Sequence, residues 1–420
     1  MEDVVISFSH TNYCIRSAGT EKFIRDLTND LQLKGIHHLN FFSFYDEKKR
    51  MKDKKIGVNF DNQFVAIYSY SKLAEVIDAL IVKYELRVTA VHLQHLLHHD
   101  LKCLSAVLLK LLVPVYLIVH DYYLLCPELK LISDRNGFCG VSRPSAEKCA
   151  GCKFADQAMV HKQNVDLFLA SIKSCIAGII TPSSYVTTRM QIAFPELSDL
   201  IITRPHLKLT GQKRYQALES KIKVAYLGTQ TAAKGFYDWK RLVNLLSDQP
   251  QYEFYYFGTG EEQVDGVKNI FVSSVEQGEN AMVNALKRHE IDVAFVWPNW
   301  AETYSYVFYE LSSCGVFVVT NLISGNIYDE ICKKQNGIVF EGIQECVEWF
   351  KDNTVVRDAV NQYKLYGEFR PAHMEVNHSL ADLLSDKKTY SLCKKKVCIP
   401  SVLHTAAYRV LYHKKLKRKI

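Results

Sequence analysis

Residues 301–310, AETYSYVFYE, set two glutamates, Glu302 and Glu310, around four aromatic rings. Tyr306, Val307, Leu311 and Cys314 follow helical spacing as one buried stripe, so Glu310 stands beside a face that could be wholly apolar. A carboxylate taken out of water is costly unless something pairs or hydrogen-bonds with it. A vicinal diol can do that: it donates two hydrogen bonds to one carboxylate, each about 1.5–3 kcal/mol. Sugar and ribose hydroxyls are therefore the chemistry that two glutamates in these places suit.

Other stretches suit phosphate. In GTQTAAKG, Gly228–Gly235, a glycine turn leads to Lys234 at a helix start, where the lysine can act as a point charge. The loop is not G-x-x-x-x-G-K-[ST], because Lys234 precedes Gly235. In SHTNYCIRSAGTEKF, Ser17, Gly19 and Thr20 can cap a helix whose free N–H groups make an anion site. In LISGNIYDE, Ser324, Gly325 and Asn326 precede another helix and form a second candidate anion site. YFGTGEE has Gly258 and Gly260 but no third glycine, and Glu261 and Glu262 follow, which weakens a dinucleotide-binding reading. No D-x-D occurs, so the acidic clamp for a metal-bound diphosphate has no counterpart.

His120 and Asp121 end a strand at Val115–Val119, where a side chain points into the expected cleft. His92, His95, His98 and His99 are spaced for a metal, but a solvated strand end and helix face accounts for them better. Cys126, Cys139, Cys149 and Cys152 close with C-x-x-C in a loop-rich insertion, 126–152. They are candidate ligands of a structural zinc ion; reduced thiols in an acceptor-side loop are the alternative.

These residues need strands and helices to bring them together. Strand patterns at Val4–Ser9, Asn40–Phe44, Phe64–Tyr68, Val88–Leu93, Val115–Val119 and Gly178–Thr181 are separated by helical ones, such as Thr20–Lys34, which Gly35 stops. A second series follows a polar stretch near 205–220: Lys223–Leu227, Glu253–Phe257, Ile270–Val272, Val293–Trp297 and Val316–Thr320. The expectation is two α/β doubly wound, Rossmann-like domains, 1–205 on the acceptor side and 206–350 on the donor side. A helical segment with a basic tail, 351–420, completes the chain. Ligands then sit in the cleft at the carboxyl ends of the strands.

The 420 residues carry a formal charge of +7, but residues 387–420 hold eleven Lys/Arg and no acid, which leaves −4 for the rest. The basicity is a tail, which argues against a nucleic-acid groove and for a patch that meets an anionic membrane. No apolar run reaches the ~20 residues of a membrane span, and no signal-peptide pattern opens the chain. A cytoplasmic location with reduced thiols is expected, peripheral on the inner face of the membrane through the tail. Val402, Leu403, Ala406, Ala407, Val410 and Leu411 form one apolar helix face, expected to pack on the body.

The combination W-x-E-T-Y-S-Y-x-x-x-E with the block HDYYLLCP resembles a retaining glycosyltransferase of family 4, in a subset of the surface-polysaccharide type. The likeness runs over about residues 4–345. It implies the GT-B fold, two Rossmann-like domains facing across a cleft. It also implies hexosyl transfer from a nucleotide-sugar donor to a saccharide or lipid-linked saccharide acceptor, with no metal or cofactor required for catalysis. By the same resemblance Glu310 holds the donor ribose, with Glu302, Ser305 and Tyr306 near the donor sugar and phosphate. Lys234 in the Gly228–Thr229 loop neutralises the diphosphate, His120 faces the sugar, and Gly19 and Thr20 lie near diphosphate and acceptor. The family's arginine after the first loop glycine is replaced by Thr229. A nucleotide-sugar epimerase of the same fold and a non-catalytic nucleotide-sugar-binding protein remain the alternatives.

Overall fold

The structure is a computed structural model that describes residues 1–16, 18–44, 54–133, 137–218, 221–385 and 400–417. Its first ten strands are β1 (Glu2–Ser9), β2 (His37–Phe44), β3 (Lys55–Phe60), β4 (Gln63–Ser69), β5 (Leu86–Leu93), β6 (Val115–Ile118), β7 (Ile132–Ser133), β8 (Gly137–Phe138), β9 (Ile176–Thr181) and β10 (Ile201–Thr203). The rest are β11 (Leu207–Thr210), β12 (Ile222–Leu227), β13 (Tyr252–Gly258), β14 (Val267–Phe271), β15 (Val293–Phe295), β16 (Phe317–Asn321), β17 (Gly337–Phe340) and β18 (His373–Val376).

Two large sheets result. The first runs β10-β9-β6-β5-β1-β2-β3-β4, and the second β14-β13-β12-β15-β16-β17. The second is parallel throughout, and the first is parallel except for its β2-β3-β4 edge, which is antiparallel. In each, the chain starts centrally, works outward one way, and returns to the other side of its first strand. That is the doubly wound order, and the crevice at the reversal lies between β1 and β5 in one sheet and between β12 and β15 in the other. The strands read as apolar runs because both faces are covered: Val4, Val5, Ile6 and Phe8 of β1 are all inaccessible to solvent.

Helices follow from spacing and caps. In Gly19–Leu33, Phe23, Ile24, Leu27 and Leu31 are buried, and Gly35, at φ 71°, lets the Ile36 amide reach the Leu31 carbonyl at 2.9 Å. Its N-cap residue is Ala18, with no side-chain cap bond, and Ser17 lies outside the described residues.

The last segment is shared between the halves. Helix Asn353–Tyr366 buries Val356, Val360 and Tyr363 in the second half. The chain then pairs β18 with β11 and returns to the first half, where Leu380, Ala381 and Leu384 pack against Phe23, Leu27 and Leu31. Helix Val402–Lys417 lies along β4, and its orientation reverses the expectation: Val402, Leu403, Ala406, Ala407, Val410 and Leu411 face solvent. Thr405, Tyr408, Tyr412 and Leu416, on the opposite side, pack inward. No helix among the described residues is long and apolar enough to cross a membrane.

Candidate active site

The carboxyl ends of both sheets open on a cleft of about 640 Å³. Gly19, Thr20, His120, Lys234, Glu302, Ser305 and Tyr306, singled out from the sequence, line it together.

The wall from the second half is ionic. β12 ends at Gly228, a tight turn reaches Lys234, and Gly235 at φ 78° starts helix Phe236–Leu245. A Cβ on Gly235 would stand 2.0 Å from the Trp297 carbonyl oxygen, so only glycine fits. Lys234 Nζ donates to the buried Glu302 carboxylate at 2.6 Å and lies 5.9 Å from the Trp300 ring. The Glu302 loop is held from several sides. Tyr122 donates to the Ala301 carbonyl at 2.9 Å, the Asn326 amide to the Glu302 carbonyl at 2.9 Å, and Ser183 to the Thr303 carbonyl at 2.8 Å. Ser305 caps helix Tyr306–Ser313, its Oγ accepting from the Phe308 amide at 3.3 Å.

Glu310, one turn beyond Tyr306 and Val307, is half-buried, and burial pushes its carboxyl up to about 7 against the pull of Lys22. Among the described residues its carboxylate has no hydrogen-bond partner, while Lys22, from the other half, is bound to Glu279 at 2.9 Å. The acid in the helix is thus desolvated with only the distant charge of Lys22 to offset it.

The wall from the first half is rich in imidazoles. His120 Nε2 meets Gln94 Oε1 at 2.9 Å, and its carbonyl accepts from Thr303 Oγ1 at 2.6 Å, which ties the walls together. The Leu97 amide donates to His95 Nδ1, so the proton on Nε2 faces Asp121, at 2.9 Å. Burial, then His206 and His95, hold His120 well below the usual imidazole range; burial takes His206 to about 3, and burial with His95 takes His10 to about 4. Burial alone would raise Asp121, but His95 and the Tyr123 amide outweigh it and lower it.

Several expectations change. Ser324, Gly325 and Asn326 are buried behind the Glu302 loop and do not line the cleft. The Asn326 amide, offered as an anion donor, is taken by Glu302, and a Cβ on Gly325 would stand 2.6 Å from the Glu302 carbonyl oxygen. Gly228, Thr229 and Gly258 do not line the cleft either. Thr229 is exposed and accepts from Tyr226 at 2.7 Å, and Gly258 is packed against the Gly228 carbonyl. His92, His95 and His99 are buried and hydrogen-bonded rather than solvated, His92 to the Leu384 carbonyl at 2.7 Å and His99 to the Ser9 carbonyl at 2.9 Å. Cys126, Cys139, Cys149 and Cys152 line one cavity of about 240 Å³, and burial pushes the Cys126 thiol up to about 11. Among the described residues no group of three or more His, Cys, Asp or Glu is arranged to hold a metal ion.

The cleft also contains Asp121, read with His120 at the strand end, and residues that the sequence reading passed over: His10, Arg16, Glu21, Lys130, His206 and Trp300. His10 follows β1 as His120 follows β6, a signal that strand ends could have given. Arg16 and Lys130 sit in irregular loops without one, yet they bring positive charge to the cleft that lacks an arginine at 229.

Solved structures share this architecture. A glycosyltransferase from Rickettsia africae superposes with a TM-score of 0.54 at 10% identity, over 99% of this chain and 99% of that one. The sucrose-phosphate synthase of Thermosynechococcus elongatus gives 0.53 at 13%, over 92% and 95%. Anabaena HepE in complex with UDP gives 0.50 at 12%, over 92% and 96%. The chain has the GT-B fold. No family model matches it, and no curated protein does. In this GT-B cleft Lys234 and Glu302 belong to the second half, and His120, Gly19 and Thr20 to the first; Glu310, on the helix that starts at Tyr306, does not line it.

Proposed function

We propose that this GT-B chain is a retaining glycosyltransferase. It moves a hexosyl group from a nucleotide-sugar donor to a hydroxyl of a glycan or lipid-linked saccharide in surface-polysaccharide synthesis, on the cytoplasmic side of a membrane. The observation that carries the reading is the pairing of one satisfied carboxylate in the cleft with one unsatisfied carboxylate on the helix that follows it. Glu302 is neutralised by Lys234 at 2.6 Å, and Glu310, one helix further on, is half-buried and unpartnered. A diphosphate that draws Lys234 toward itself frees Glu302 to accept from sugar hydroxyls, and a ribose diol satisfies Glu310. As the bond to the sugar breaks, charge grows on the departing phosphate; Lys234, with Arg16 and Lys130 in the same cleft, stabilises it. These cations take the place of a metal, so the reaction needs no divalent ion. The imidazoles of His10, His120 and His206 stay neutral and serve as hydrogen-bonding groups toward the sugar and the acceptor. The neighbour HepE holds UDP, which makes UDP the first nucleotide to test.

The experiment is incubation with labelled nucleotide sugars, with and without EDTA, and with saccharide acceptors. Labelled saccharide formed equally in both conditions is the expected product. A free epimerised sugar nucleotide would identify an epimerase, and tight UDP binding without turnover of any donor would identify a binding protein.

A further inference from the structure

Helix Val402–Lys417 closes an exposed sheet edge with one face and leaves an apolar stripe on the other. Its inner face satisfies the free backbone of β4. Thr405 Oγ1 accepts from the Ile67 amide at 2.9 Å, Tyr412 Oη accepts from the Phe64 amide at 3.3 Å, and Arg409 donates to the Val65 carbonyl at 3.2 Å. Its outer face carries Val402, Leu403, Val410 and Leu411, which are 71%, 83%, 57% and 54% exposed, with the small Ala406 and Ala407 between them. Apolar side chains at i, i+1, i+4, i+5, i+8 and i+9 along nearly three turns of exposed helix are not what an isolated surface helix needs.

We propose that this stripe is a membrane-docking face that inserts into the headgroup region of an anionic bilayer. Charge selects the partner. The stripe runs directly into HKKLKRK, 413–419, and residues 387–420 hold eleven Lys/Arg and no Asp or Glu. A second copy seated on the same stripe would bring two such segments together and repel itself. An anionic bilayer meets both features at once: the apolar face is buried at the acyl boundary and the lysines stay among the phosphates. One signal alone binds only weakly, whereas an apolar face plus a polybasic end meets the two-signal requirement for stable attachment. The position suits a membrane-borne substrate. Tyr408 and Tyr412 on the inner face pack in one cluster with Tyr13, Cys14 and Ile15, in the loop whose His10, Arg16 and Ala18 line the cleft. Docking through this helix therefore ties the bilayer to a segment whose neighbours line the cleft. The inference rests on this helix and its charge, not on the transfer reaction, so donor binding measured in parallel separates the two.

The test is sedimentation of the full chain with phosphatidylcholine vesicles and with vesicles of equal parts phosphatidylcholine and phosphatidylglycerol. Binding to the mixed vesicles only is expected. The double variant Leu403→Ser/Leu411→Ser keeps every charge and alters only exposed side chains; it should lower the partition coefficient about tenfold or more with the melting temperature unchanged. Replacing Lys414, Lys415, Lys417, Arg418 and Lys419 by Gln should abolish binding at low salt. In a further variant, Leu403→Trp, fluorescence should move to shorter wavelength when mixed vesicles are added, and not with phosphatidylcholine alone. Unchanged partitioning of the double serine variant, or no shift from the new tryptophan, overturns the proposal. So does a dimer of the parent chain that the serine variant loses, because the stripe would then be an interface between copies.

Discussion

The two walls of the cleft do comparable work with opposite materials. The first holds imidazoles, His10, His120 and His206, which burial keeps neutral, fixed by side chains such as Gln94 and set beside the charged Arg16, Asp121 and Lys130. The second holds ions, Lys234 against Glu302, with the half-buried Glu310 on the helix that follows, fixed by backbone that approaches too closely for any Cβ at Gly235 and Gly325. A wall that must stabilise charge is built on rigid backbone, because fixed dipoles and cations cost no reorganisation when charge appears.

The comparison breaks most visibly at its glycines. Gly235→Ala places a Cβ 2.0 Å from the Trp297 carbonyl oxygen at a left-handed φ, so the Lys234 turn must move. A loss of about 3 kcal/mol in stability and of donor binding is expected from thermal melts and calorimetry. Gly19→Ala, on the first wall, meets only the Tyr306 ring at 3.4 Å, an ordinary contact, and its melting temperature should stay within the range of a surface substitution. If Gly19→Ala melts as early as Gly235→Ala, the two walls are equally rigid and the contrast is wrong.

Next in size is Lys234→Ala. It removes the charge that meets the diphosphate and leaves a buried carboxylate at Glu302 without its partner. Nucleoside diphosphate should bind roughly 10- to 100-fold more weakly while the nucleoside alone is little affected, from one charge-assisted hydrogen bond of about 1.5–3 kcal/mol. Equal losses for the two ligands would place Lys234 away from the phosphates.

The same contrast governs what the sequence reveals. Lys234, Glu302 and Glu310 are legible because each lies in or just after a short loop that follows a strand, and because ions among apolar residues stand out. The first wall is assembled from single residues that the chain separates, His10, Arg16, Lys130 and His206, each ordinary in its own surroundings. The parallel strands themselves are legible as apolar runs between helical patterns, whereas β17 and β18, short and in part half-exposed, show little contrast with loops. Ser324–Asn326 have the composition of an anion site, but composition does not say that the Asn326 amide is already committed to Glu302. The helix Val402–Lys417 fails differently. Its apolar stripe is plain in the sequence, but Thr405, Tyr408, Tyr412 and Leu416 form a second apolar face, and periodicity cannot tell which of two faces the body takes.

The smallest expected effect sharpens the comparison through pH. On the first wall burial holds His10 near 4, His206 near 3 and His120 well below the usual range, so these groups change charge only in acid. On the helix that follows the second wall's Glu302, Glu310 is raised to about 7. Its folded pKa lies above the ordinary carboxyl value, so between roughly pH 4.5 and 7 the folded chain binds more protons than the unfolded one, and this group's contribution to stability falls as pH rises through that window. Ligand binding runs the other way. Only the ionised carboxylate accepts both bonds of a ribose diol, so nucleoside affinity should rise as pH increases through about 7 and then level off. Glu310→Gln keeps the shape and removes the proton equilibrium. It should bind about tenfold more weakly than the parent above pH 8, and its affinity should be flat from pH 5.5 to 8.5. Calorimetric titration of nucleoside across that range checks it. A step near 7 that survives in Glu310→Gln would move the titrating group to the other wall, where a histidine would have to be less buried than it is.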